Sequence, residues 1–146
     1  MRIAVISDTH DRYPEGFPAR LQAADEIWHL GDVCDPSVLG EFAALGRPLT
    51  VVRGNCDDHF GWPEEADLER GGARCLLTHS PPPRAPSGFT AVLHGHTHVP
   101  RDETRAGVRW LNPGCVSRPR GADPSFAWLT VEAGKVTSWI IVPLSP

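Results

Sequence analysis

The chain lacks most of the features that mark nucleic-acid, membrane and disulfide-built proteins. Of its 14 basic residues only Lys135 is lysine, and no Lys/Arg run of nucleic-acid or nuclear-import type occurs. The net charge is −4 with histidine neutral, so non-specific binding to nucleic acid is not expected. Cysteine is scarce: Cys34, Cys56, Cys75 and Cys115 form no Cys-x-x-Cys pair, which argues against a zinc ribbon. A disulfide framework is equally unexpected in a chain of this size without a leader, and the four are read as reduced thiols. Only four apolar residues separate Met1-Arg2 from Ser7-Asp8, too few for the apolar region of a signal peptide. No stretch approaches the length of a membrane span. No repeat and no low-complexity block interrupts the 146 residues. The expectation is one cytoplasmic domain covering 1–146, with no membrane partner and no specific nucleic-acid partner.

What the chain does have is an order. Short apolar runs are each followed at once by polar residues of metal-ligand type. Ile3–Ile6 leads to Asp8-Thr9-His10, and Ile27–Leu30 leads to Gly31-Asp32. Leu49–Val52 leads to Gly54-Asn55, and Leu76–Thr78 leads to His79. Ala91–Leu93 leads to Gly95-His96-Thr97-His98. Parallel strands deliver their C-terminal ends to one edge of a sheet, which is where open α/β sheets bind ligands. Five such deliveries point to one site.

The first half reads as alternating strand and helix: strands at 2–6, 26–30 and 48–52, helices at 17–24 and 36–45. Asp35 is the expected N-cap of the second helix, with Pro36 at its first position and Gly46 just past its end. Short strand–helix–strand units imply a parallel sheet with right-handed crossovers. The second half reads as β-rich and partly antiparallel. Strands are expected at 73–78, 91–94, 108–111, 125–131 and 136–142, with a hairpin at 132–135. Pro81-Pro82-Pro83 starts a stiff loop to about Ser87. The result is an α/β domain of two packed sheets with helices outside.

Aspartate, histidine and asparagine are the donors of a two-metal hydrolytic centre. Asp8 and His10, like His96 and His98, alternate along what reads as extended chain, so each pair should face one way. Asp32 can bridge two cations through its two oxygens. Two divalent ions ~3.5–4 Å apart hold a bridging water, lower its pKa and clamp a phosphoryl oxygen. Their mutual repulsion calls for carboxylates between them, and Asp8 and Asp32 are the candidates. Each motif alone has an ordinary reading: Asp32 capping the 36–45 helix, Gly54-Asn55 as a simple turn. His29 and His94 sit in apolar runs and are expected to pack or support, and His59 to be exposed; none of the three is expected as a ligand.

Taken together, Ser7-Asp8-Thr9-His10, Gly31-Asp32, Gly54-Asn55-Cys56-Asp57, Thr78-His79, Gly95-His96-Thr97-His98 and Asn112-Pro113-Gly114 resemble the calcineurin-like metallophosphoesterases. Within that superfamily the chain is similar to the small, cap-less bacterial and archaeal phosphodiesterases. The resemblance covers most of the length and implies a four-layer αββα sandwich, two mixed β-sheets flanked by helices. It implies that Asp8, His10 and His98 hold one metal, that Asn55, His79 and His96 hold the other, and that Asp32 bridges them. Asp57 falls where the family places an acidic residue behind the ligands. Asn112-Pro113-Gly114 and Pro119-Arg120 resemble a further element near the site.

The chain also departs from the pattern. Phosphoprotein phosphatases of the superfamily carry histidine where this chain has Cys56. His79 is followed by Ser80 and prolines, where many relatives have Gly and a further His. Cys115 stands where Ser is commoner. These departures favour diesters with good leaving groups. The expected function is two-metal hydrolysis of phosphoesters, phosphodiesters foremost, by a metal-bridging hydroxide and with no protein nucleophile; Cys56 is expected to be neither ligand nor nucleophile. Mn²⁺ is the favoured metal, with Fe, Zn²⁺, Ni²⁺ or Co²⁺ as alternatives. The partner is a small phosphoester substrate, with homo-oligomerisation left open. The other readings are a phosphomonoesterase, a dinucleoside-polyphosphate hydrolase, or a metal-binding scaffold without catalysis. Arg12, Arg53, Arg118 and Arg120 are candidate phosphate contacts, Arg120 and Arg53 foremost. Each alone also reads as an ordinary surface arginine.

Overall fold

The computed structural model describes residues 1–59, 61–117 and 120–144. Its ten strands are β1 (Arg2–Ile6), β2 (Glu26–His29), β3 (Leu49–Val51), β4 (Glu65–Arg70), β5 (Ala73–Thr78), β6 (Ala91–Leu93), β7 (Arg101–Arg105), β8 (Val108–Asn112), β9 (Ser125–Glu132) and β10 (Lys135–Pro143). They form two five-stranded sheets, ordered β10-β9-β1-β2-β3 and β4-β5-β6-β8-β7. Within the first, β1, β2 and β3 run parallel and β9 and β10 antiparallel. Within the second, β5, β6 and β8 run parallel, with β4 and β7 antiparallel at the edges. Both sheets are therefore mixed, as expected. Each has a central parallel trio whose C-terminal ends carry ligand-type residues or their supports.

Side-chain alternation explains why the sheets stack. Ile3, Val5, Trp28 and Leu30 of the first sheet meet Cys75, Leu77, Ala91, Leu93 and Leu111 of the second in one buried cluster. The intervening residues face outward. Ala4, Ile6 and Ile27 pack against Phe17, Leu21, Leu39 and Phe42. Leu76, Val92 and Trp110 pack against Ala85, Phe89 and Val108.

The outer layers are thinner than the sequence implied. The helix expected at 17–24 is a 3-10 turn, Pro18–Leu21. The one expected at 36–45 is a 3-10 turn, Pro36–Leu39, followed by a single α-turn, α1 (Gly40–Ala43). Its start is as read: Asp35 accepts a hydrogen bond from the Ser37 amide at 3.0 Å, and Pro36 follows. The outer face of the second sheet is covered by the proline-rich segment to Phe89 rather than by a helix. Prolines cannot donate to a helix ladder, and Pro81–Pro83 exclude one there. Among the described residues no helix is long and apolar enough to cross a membrane.

Two strands had no apolar signature. β4 reads EADLER and β7 reads RDETR, and both are edge strands with largely exposed side chains. Charged edges of this kind resist pairing with another chain. The sequence assigns no element to either; β4 pairs with β5 and packs Ala66 and Leu68 against the core, and β7 pairs with β8.

Candidate metal centre

The loops after β1 and β2 run side by side beyond the strands. The Asp8 amide donates to Gly31 O at 3.0 Å, His10 to Asp32 O at 3.0 Å and Asp11 to Val33 O at 3.1 Å. Asp8, His10, Asp32, His96 and His98 all have positive φ, between 44° and 69°. Five of the seven expected ligand positions thus sit in the left-handed region that non-glycine residues rarely occupy. This corrects the expected extended alternation of Asp8/His10 and His96/His98. The side chains of each pair do converge, but through tight left-handed turns. Strain of this sort persists only where the surroundings over-determine it and clusters at functional sites.

Each carboxylate is split between support and site. Asp8 Oδ2 accepts from Ser7 Oγ at 2.7 Å and the His96 amide at 3.2 Å. Asp8 Oδ1 faces His98 Nε2 at 3.3 Å, His10 Nε2 at 3.7 Å and His79 Nε2 at 3.9 Å. Asp32 Oδ1 accepts from the Cys56 amide at 2.8 Å, while its Oδ2 faces His79 Nε2 at 3.3 Å and His10 Nε2 at 3.6 Å. On the far side, Asn55 Oδ1 lies 2.9 Å from His79 Nε2 and 3.1 Å from His96 Nδ1. All seven expected residues therefore come together. Asp8, His10 and His98 lie to one side, Asn55, His79 and His96 to the other, and Asp32 Oδ2 faces a histidine of each set.

The hydrogen-bond chemistry shows that a cation fits here. His79 Nδ1 is 2.8 Å from Leu30 O, a pure acceptor, so Nδ1 carries the proton. The neutral ring then points a lone pair from Nε2 at Asn55 Oδ1, another acceptor, at 2.9 Å. Two lone pairs at that separation repel unless a proton or a cation lies between them. Asp8 Oδ1 and His10 Nε2 are buried and have no hydrogen-bond partner. Unsatisfied buried polar atoms are rare, and a metal ion satisfies both. Donor atoms of Asp8, His10 and His98, and of Asp8, Asp32 and His79, lie close enough together to share an ion.

Electrostatics agree. Burial alone would raise the Asp8 pKa, yet the adjacent His10 imidazole, the Ser7 hydroxyl and the nearby His79 and His98 hold it below the usual range. Burial likewise opposes ionisation of Asp32, but His79 and the Cys56 amide bring it down to about 2. For His79, burial favours the neutral ring, and Asp32 and Asp8 outweigh it and raise the pKa. The carboxylates are thus ionised and their charge draws a positive partner.

Supporting residues hold this arrangement. Asp57 is buried and accepts three backbone hydrogen bonds, from Asp32 N at 2.9 Å, Gly54 N at 2.7 Å and Cys34 N at 2.8 Å. It locks the Asp32 loop to the Gly54–Asp57 turn. Asn112, at the end of β8, donates to Gly95 O at 3.2 Å and Thr97 Oγ1 at 3.1 Å, so the Asn112-Pro113-Gly114 element braces the His96/His98 loop. A Cβ on Gly54 would overlap the Asp32 carboxylate, and one on Gly95 would overlap Ser7 Oγ. Those glycines are what let the loops approach so closely.

The remaining expectations fall out as follows. His29 is fully buried; its Nδ1 accepts from Gly31 N at 3.1 Å and its Nε2 donates to Thr9 Oγ1 at 3.1 Å. Burial pushes its pKa down to about 4. His94 donates from Nδ1 to Gly95 O at 3.0 Å and accepts from Arg101 at 3.0 Å, and burial again brings it to about 4. His59 is exposed and lies against Trp62. None of the four cysteines forms a disulfide among the described residues. The Cys56 segment is a turn rather than extended chain, with Asp57 N bonded to Gly54 O at 3.2 Å. Asn55 and Cys56 therefore share the same cleft despite being adjacent. That cleft, of about 440 Å³, is lined by His10, Asp32, Asn55, Cys56, His96, His98 and Arg120. Arg53 lines a neighbouring cleft instead, its guanidinium 2.6 Å from Glu64. Arg12 lies beside Tyr13 and Pro14 in a separate depression. Arg118 and Pro119 lie outside the described residues. Sequence reasoning missed Ser7 as the partner of Asp8 and the three-way bonding of Asp57; neither contact has a sequence signature of its own.

Two predictions follow from the supports. Asp57→Asn removes one of two acceptor oxygens from three amides, and we expect bound metal to be held about 10–100-fold more weakly, as read by competition with a chelator. A variant that retains metal as the parent does would remove Asp57 from this role. Second, His29 and His94 have folded pKa values below that of free histidine. Below about pH 6.5 the unfolded chain takes up protons that the folded chain refuses, so stability present at neutral pH is lost as pH falls towards 4. Imidazole NMR signals of both residues should stay neutral at pH 5 while the urea midpoint drops, and protonation near pH 6.5 would contradict the assignment.

A profile of the calcineurin-like phosphoesterase superfamily domain matches residues 1–134. A probable metallophosphoesterase of Methanothermobacter thermautotrophicus is 33% identical, over 97% of this chain and 92% of its own length. Phosphodiesterase YfcE of Escherichia coli is 36% identical over 97 residues, 56% of this chain and 51% of its own. The solved structure of E. coli YfcE, described as a phosphoesterase, matches with a TM-score of 0.77 at 24% identity, covering 96% of this chain and 98% of that one. Wild-type Vps29 from Entamoeba histolytica, complexed with Zn²⁺, gives 0.77 at 22% identity over 99% and 100%. These two likenesses speak to the fold. With the match to residues 1–134 and the archaeal relative along almost the whole length, the chain belongs to the calcineurin-like phosphoesterase superfamily.

Proposed function

We propose that the protein hydrolyses phosphodiesters at a pair of divalent cations, Mn²⁺ foremost. Asp8, His10 and His98 would hold one ion, Asn55, His79 and His96 the other, and Asp32 both. The observation that carries this reading is the pair of donor sets sharing Asp32 Oδ2, with His10 Nε2 at 3.6 Å on one side and His79 Nε2 at 3.3 Å on the other. Bound there, two such ions supply Lewis-acid charge and make a water molecule acidic near neutral pH. The chain's own side chains do the rest. Leu30 O fixes the His79 tautomer, Asp57 fixes the Asp32 loop, and Arg120 offers a guanidinium to the phosphate in the cleft.

The cleft lining supports a diester. Every imidazole on it (His10, His96, His98) is a proposed ligand. Among the described residues no further imidazole lines the cleft to protonate a poor leaving group. Among the described residues the guanidinium on this cleft is that of Arg120, and Arg53 is paired with Glu64. The E. coli relative's name, phosphodiesterase, points the same way.

Metal-loaded protein should turn over bis(p-nitrophenyl) phosphate faster than p-nitrophenyl phosphate, with activity declining on the acid side as ligand histidines protonate. A monoester preference that persists across metals refutes the diester reading. No turnover of either compound with any metal favours a scaffold.

A further inference from the structure

A second cleft, of about 270 Å³, opens beside the one that holds the metal ligands and is lined by Arg53, Gly54, Asn55, Glu64, Glu65, Thr78, His79 and Ser80. The two clefts share Asn55 among their lining residues. His79, whose side chain is only 4% exposed and lies 2.9 Å from Asn55 Oδ1, forms the inner wall of the second. A phosphorus atom seated among the ligands would therefore lie at the junction of two depressions. A diester has two arms and a monoester has one.

The second cleft differs in chemistry from the first. Among the described residues its lining is more polar than that of the first cleft. The Arg53 amide bonds to Pro63 O at 2.7 Å, which draws the segment carrying Glu64 and Glu65 against the site. The Arg53 guanidinium is balanced by Glu64 at 2.6 Å. Glu65 opens β4 directly opposite Thr78, the residue before His79, so its carboxylate is the excess charge of the cleft beside the Thr78 hydroxyl and Ser80. An aryl or alkyl arm finds less apolar surface to bury against here than in the first cleft. An arm that donates hydrogen bonds finds a carboxylate and hydroxyl oxygens.

We propose that this cleft receives the retained arm of the diester, and that the arm is a short alcohol bearing hydrogen-bond donors, a hydroxyl or an ammonium, rather than an aryl or plain alkyl group. This rests on the diester reading above and names its substrate class. Glu65 recognises the donor, and Ser80 and Thr78 complete its environment. The leaving arm occupies the side lined by Arg120.

The test separates binding from turnover. Methylphosphinates, in which carbon replaces both ester oxygens, carry the monoanion of a diester and are not cleaved. Calorimetry on Mn²⁺-loaded protein should show the 3-aminopropyl and 3-hydroxypropyl methylphosphinates binding at least fivefold more tightly than the butyl compound. Glu65→Gln should erase the aminopropyl advantage. Butyl binding as tight as the others, or an aminopropyl advantage that survives Glu65→Gln, overturns the proposal. Turnover of bis(p-nitrophenyl) phosphate, measured in parallel, judges the diesterase reading separately, because the phosphinates report on the cleft whether or not the protein is catalytic.

Discussion

The structure depends on a set of buried donor atoms that need positive charge between them. Asn55 Oδ1 and His79 Nε2 face each other at 2.9 Å, with Asp32 Oδ2 at 3.3 Å from the same nitrogen. The proton of His79 is already committed to Leu30 O. Nearby, Asp8 Oδ1 and His10 Nε2 are buried with no hydrogen-bond partner. Left to themselves, such atoms destabilise a fold, because a buried polar group without a hydrogen bond costs about 1–3 kcal/mol. A cation converts the same arrangement from repulsive to attractive. The loops tolerate left-handed φ at five ligand positions for the same reason: the geometry is set by what the donors must surround.

Supports for this centre come from both sheets. Three parallel strands of the first sheet deliver Asp8, Asp32 and Asn55, and β5 and β6 of the second deliver His79, His96 and His98. The inter-sheet cluster around Trp28, Leu77 and Leu93 fixes the distance between the two groups. Asp57 then ties two loops of one sheet together, and Asn112 braces the histidine loop of the other. His29 and His94 belong to this frame rather than to the ligand set, which is why both stay neutral.

The convergence of the candidate ligands was legible because each follows an apolar run, and apolar runs mark buried parallel strands. β1, β5 and β8 could be read almost residue for residue. The charged edge strands β4 and β7 could not, since nothing in EADLER or RDETR separates a paired edge from a loop. Helices were over-read at 17–24 and 36–45, where Gly40, prolines and short spans leave only single turns. The direction of Asp8, His10, His96 and His98 was anticipated correctly for the wrong reason, because periodicity cannot show a left-handed turn. Arg120 lines the cleft, whereas the pairing of Arg53 with Glu64 arises from residues 11 apart in sequence with no motif to announce it.

The metal content of untagged protein purified with added Mn²⁺, compared with that of Asp32→Ala, tests the central claim most directly. Elemental analysis should approach two ions per chain for the parent. Asp32→Ala should lower occupancy at both positions, because it removes the shared ligand and the negative charge between two cations. A parent that saturates at one ion, or an Asp32→Ala protein that keeps two ions and full activity, would contradict a centre built around Asp32.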